Sequence, residues 1–116
     1  MSRSRDKLFL LEAGFEDPNH PGQHFVCPHS NQIEGLLVSS PELAGRLDIE
    51  RVPFARPRRA VIAELGEANQ SLPALVLGQG PIPEDAERFG DVAFVKPTRR
   101  ILELLAERHG FPRLHG

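Results

Sequence analysis

The 116-residue chain has no tryptophan and no tyrosine, one methionine and one cysteine, Cys27. A single cysteine excludes an internal disulfide, and a lone thiol persists best in a reducing compartment, so the cytoplasm is the expected location. Without Trp or Tyr, any base-stacking platform would have to come from the seven Phe, most of which sit in strand-like or loop contexts. An excess of one charge is lacking too. Fourteen basic and sixteen acidic residues leave a formal charge of -2, which gives no bulk attraction to nucleic acid or to an anionic membrane. The N-terminal apolar run, "LFLL", is four residues long and followed by acidic residues, too short for a signal-peptide core or a membrane span. No nucleic-acid or membrane partner is therefore expected.

By length, residues 1–116 form one domain, with a core over about 6–110 and with tails 1–5 and 113–116 expected to fray. "KLFLLEAG" reads as a buried strand, and Pro18, Pro21 and Gly22 punctuate the polar loop that follows. "CPHSNQIEGLLVSS" places Ile33, Leu36 and Leu37 on one helical face, with Pro28 at the first helical position and Cys27 at the N-cap. Pro41 to Leu47 reads as an extra turn or two and "DIERVPF" as a second strand. A second helix is expected to open at Pro57 and stop at Gly66. "SLPALVLG" and "DVAFV" read as the third and fourth strands, separated by "PIPEDAERFG" as loop. Thr98 is the expected N-cap of a last helix with Ile101, Leu104 and Leu105 as its stripe and Gly110 as its stop. The order is β-α-β-α-β-β-α, which predicts an α/β domain with a four-stranded mixed sheet: the first two strands parallel, the last two antiparallel.

This order, with Cys-Pro-x-x opening the first helix and Leu-Pro opening the third strand, resembles the thioredoxin-like fold in its short glutaredoxin and glutathione-transferase N-terminal form. "DKLFLLEAGFEDPNHPGQHFVCPHSNQIEGLL", "NQSLPALVL" and "RILELLAERHGFP" are similar to a bacterial thioredoxin-like family of unknown function. The resemblance implies that Cys27 is a nucleophile, that Leu72–Pro73 is a cis peptide facing the thiol, and that the Leu72 backbone is a docking edge. It also implies monothiol exchange with glutathione or a protein thiol or disulfide, with glutathione as co-substrate and no bound cofactor. Ser30 stands where a dithiol enzyme has its second cysteine. "KPTRR" replaces the glycine- or serine-containing segment that holds the gamma-glutamyl group in those relatives.

A thiol reacts as thiolate, and a helix N-terminus stabilises that anion. The amides of His29 and Ser30 are expected to face the sulfur, a protonated His29 would add a positive charge, and the Ser30 hydroxyl could donate to the thiolate. The alternative is an inert, buried cap residue in a non-catalytic peptide- or protein-binding module. His20, His24, Cys27 and His29 fall within ten residues, and their nitrogen and sulfur ligands suit zinc, so a metal site is a third reading beside solvated loop histidines. Arg56, Arg58 and Arg59 form a basic patch, read either as a solvated face or, at Arg58, as an anchor for a substrate carboxylate. Thr98 is read as a cap or as part of an anion site at the same helix end.

Overall fold

The computed structural model describes residues 4–115. Five strands, β1 (Lys7–Leu11), β2 (Asp48–Val52), β3 (Ala74–Val76), β4 (Glu87–Phe89) and β5 (Val92–Val95), form one sheet in the spatial order β2-β1-β3-β5-β4. Helix α1 (Pro28–Ser39) and the four-residue α2 (Pro41–Ala44) connect β1 to β2, α3 (Arg59–Leu65) connects β2 to β3, and α4 (Thr98–His109) follows β5. β1 and β2 are parallel, as a helical crossover requires, and the other pairs are antiparallel.

Alternation along the strands decides which helix covers which face. Leu8 and Leu10 of β1 join Leu75 and Val95 under α1 and α4, which contribute Ile33, Leu37, Ile101 and Leu105. Phe9, Ala74, Val76 and Phe94 point the other way, against Val61 and Leu65 of α3. Burial on both faces explains why "LFLL" is continuously apolar instead of alternating. At the end of α4, Gly110 takes the left-handed conformation (φ 80°), and the chain turns so that Phe111 is buried in the first of these clusters.

Four expectations are corrected. The sheet has five strands, because Glu87–Phe89, inside the segment read as loop, pairs with β5 around Gly90. All three of its residues are exposed, so it carries no apolar alternation to betray it. Helix α3 begins at Arg59 and not at Pro57, because the Arg56–Pro57 peptide is cis and Arg58 is not helical (φ -94°, ψ 84°). Thr98 is the first helical residue of α4; Pro97 occupies the N-cap position, and no side chain caps that end. Arg5 is not a loose tail residue: its guanidinium donates to the carbonyls of Gly45 and Leu47 and pairs with Asp48 at 3.3 Å. Met1, Ser2, Arg3 and Gly116 lie outside the described residues. Among the described residues no helix is long and apolar enough to cross a membrane.

The end of the sheet where β1 begins is closed by a buried ion cluster. The Asp6 carboxylate accepts from the Gly78 amide at 2.6 Å, from Arg108 Nε and Nη2 at 2.8 and 2.9 Å, and from His109 Nε2 at 2.7 Å. Arg108 also donates to the carbonyls of Gln79 and Pro81. A side chain at position 78 would place its Cβ 2.6 Å from the Arg5 backbone, so only glycine lets the chain come this close. Burial alone would raise the Asp6 carboxyl, but the hydrogen bonds from Arg108, Gly78 and His109 outweigh it and hold the group below its ordinary value.

A carboxyl depressed by folding contributes stability that is fully present above its unfolded value, about pH 4, and lost as the pH falls through the lower folded value. Urea unfolding should therefore show stability declining below about pH 4, with a flatter decline in Asp6→Asn. At pH 7 that substitution should cost about 3–5 kcal/mol by leaving the largely buried Arg108 without its counter-charge. Equal acid profiles for the two proteins would contradict the assignment.

Candidate functional site

The opposite end of the sheet collects the residues that sequence reasoning singled out. β1, β2 and β5 finish there and β3 starts there, as the pairs Leu11 with Val52, Phe9 with Ala74 and Leu75 with Val95 require. Cys27 precedes α1 and enters from the end of β1; Leu72 and Pro73 precede β3; Arg58 precedes α3; Thr98 opens α4. The Leu72–Pro73 peptide is cis. Carboxyl ends of strands in open α/β sheets are where crevices for ligands commonly form.

Cys27 caps α1 with extended backbone (φ -74°, ψ 120°); its carbonyl accepts the first helical bond, from the Asn31 amide, and its sulfur accepts from the Ser30 amide at 3.4 Å. The thiol is free and partly exposed. Pro28 takes the first helical position, where a missing amide hydrogen costs nothing. His29 follows it and is exposed.

Ser30 is 1% exposed, and its hydroxyl oxygen accepts the Leu11 amide at 3.0 Å. The Glu12 amide donates to Val52 on the β2 side, so by alternation the Leu11 amide points to the β3 side. There the pairing has already ended at Ala74, and the preceding residue is Pro73. Ser30 thus takes up a buried donor that the sheet leaves unpaired. Of the two contacts expected from Ser30 to the sulfur, its amide makes one; its hydroxyl is engaged with the Leu11 amide instead.

Arg58 is 7% exposed, which rules out a solvated face. Its Nε and Nη2 donate to the Phe54 carbonyl at 3.1 and 2.7 Å, its Nη1 donates to the Gln70 carbonyl at 2.8 Å, and its own amide donates to Gln70 Oε1. The side chain therefore clamps the loop after β2 to the segment leading into Leu72–Pro73. Burial pushes the guanidinium below its ordinary value, the nearby Arg56 pushes the same way, and negative charge on Cys27 opposes both.

The loop from Phe15 to Val26 closes on itself through an antiparallel bridge between Phe15 and Phe25, which brings the chain back to Cys27. His24 Nδ1 donates to the Gly14 carbonyl and its Nε2 lies 3.8 Å from Glu16; His20 meets the Phe25 ring edge-on at 5.7 Å. Among the described residues no three His, Cys, Asp or Glu side chains converge as a metal site would need, so the structure does not bring together His20, His24, Cys27 and His29. Thr98 is half-buried.

Sequence reasoning missed the crevice between the loops that follow β1 and β2. Phe15 and Phe54 stack across it with centroids 4.4 Å apart and planes 2° from parallel, and Glu12, Glu16, Arg56 and Arg58 line it. Two Phe in proline-flanked loops were its only trace in the sequence.

Sheet, helices and thiol together define an α/β domain with a mixed open sheet, helices on both faces and one partly exposed cysteine at the strand ends. The chain belongs to the family described as "Protein of unknown function (DUF3088)", which it matches over residues 5–113. No curated protein and no solved structure matches it.

Ser30→Ala should cost about 1–3 kcal/mol in urea unfolding, because the Leu11 amide is left buried without an acceptor. Loss of less than about 0.5 kcal/mol would mean that this amide finds another partner.

Proposed function

We propose that the protein is a thioredoxin-like protein in which the single thiol, Cys27, exchanges with disulfides. The observation that carries this reading is the position of the sulfur: partly exposed, at the N-cap of a twelve-residue helix, hydrogen-bonded by the Ser30 amide, and at the same sheet end as the cis Leu72–Pro73 peptide. The strand order supports it. With the edge strand β4 set aside, the element order β-α-β-α-β-β-α, the parallel first pair and the antiparallel last pair agree with the arrangement that the resemblance implies.

In this reading the Cys27 thiolate attacks one sulfur of a partner disulfide, a mixed disulfide forms, and the other sulfur leaves as thiolate and takes a proton from solvent. The Ser30 amide donates to the attacking sulfur, at the positive end of the α1 dipole. The backbone of Leu72 beside Pro73 aligns the partner. No second cysteine exists to resolve the adduct, so an external thiol such as glutathione attacks the Cys27-bound disulfide and restores the thiolate. Such a cycle needs a reducing compartment, the cytoplasm. The crevice beside Phe15 and Phe54 favours a second reading, in which the domain binds a peptide and Cys27 is structural.

Folded, reduced protein mixed with glutathione disulfide should gain a single glutathione by intact mass, reversibly with dithiothreitol, and Cys27→Ser should gain none. An unmodified folded chain that forms the adduct only after unfolding in urea would replace this reading with the binding module.

A further inference from the structure

The crevice between the β1 and β2 loops has a volume of about 630 Å³, within the range of small-ligand sites. Its charges are segregated. The loop after β1 brings Glu12 and Glu16, and the loop after β2 brings Arg56 and Arg58, while the Phe15 and Phe54 rings supply apolar surface between them. Neither Glu12 nor Arg56 makes a side-chain hydrogen bond or ion pair among the described residues, although both line the same cavity. The guanidinium of Arg58 is spent on backbone carbonyls, and Arg56 stands close enough to oppose its charge. An arriving carboxylate would relieve that repulsion.

We infer that this crevice binds a short peptide with free ends, its carboxylate on Arg56, its ammonium on Glu12 and an apolar or aromatic side chain on the Phe15–Phe54 stack. A ligand with both charges and an apolar middle satisfies all three features at once. A purely anionic ligand would meet Glu12 and Glu16, and an uncharged one would gain nothing from Arg56 and Glu12, whose side chains are exposed. This goes beyond the function proposed above and does not depend on it.

The test uses an unreactive probe, the tripeptide Gly-Phe-Gly, titrated into the full chain and followed by NMR shifts, against its N-acetylated and C-amidated forms. Saturable binding is expected with shifts centred on Phe15 and Phe54. Capping either end should weaken it roughly threefold or more, as expected for partly exposed ion pairs. Arg56→Ala should erase the difference between free and amidated peptide, and Glu12→Gln the difference between free and acetylated peptide. No saturation, equal affinity for capped and free peptides, or shifts centred elsewhere would overturn the inference. Because the probe has no sulfur, binding with an unreactive Cys27 would overturn only the thiol reading, and a reactive Cys27 without binding would overturn only this one.

Discussion

The buried hydrogen bond from the Leu11 amide to the Ser30 hydroxyl ties the start of α1 to the end of β1, and the position of Cys27 follows from it. Sheet pairing between β1 and β3 stops at Ala74, and Pro73 follows in the direction in which the Leu11 amide points. A buried amide without an acceptor costs about 1–3 kcal/mol, so some side chain has to fill the gap. Ser30 does so from the third residue of α1. That placement turns its own amide toward the sulfur three residues earlier and holds the helix terminus at the sheet end where Leu72–Pro73 leads into β3. The Ser30 hydroxyl thus joins helix to sheet.

The two ends of the sheet are built on contrasting electrostatics. At the beginning of β1, Asp6 is surrounded by donors from the β3 exit and from the last turn of α4, and Arg108 spends its remaining hydrogen bonds on nearby carbonyls. At the other end Arg58 is satisfied in the same way, and it ties the loops into one unit, but Glu12 and Arg56 are not paired among the described residues. One end locks the chain from residue 6 to residue 109; the other leaves charge available around the crevice beside Phe15 and Phe54.

What was legible in the sequence is what local chemistry dictates. Pro28 after Cys27 and the Ile33, Leu36, Leu37 spacing marked α1 and its cap, and Gly110 marked the end of α4. Strand β4 was hidden because none of Glu87, Arg88 and Phe89 is buried in the core, and only their pairing with β5 makes them a strand. The start of α3 was misplaced because a proline suits both a first helical turn and a cis bond, and here Arg56–Pro57 is cis. The Asp6 cluster spans more than a hundred residues of sequence, and no local pattern joins its members. Arg58 looked like one of three surface arginines; its burial depends on the carbonyls of Phe54 and Gln70, which only the folded loops bring to it.

The thiol-exchange reading proposed above requires that folding favour reaction at Cys27. Its most direct test is the rate constant for reaction of this one thiol with a small uncharged disulfide at pH 7, in the native chain and in the same chain unfolded in urea. On that reading the native thiol reacts at least about threefold faster than the unfolded one. A native rate equal to or below that of the unfolded chain would contradict it and leave Cys27 as a structural cap.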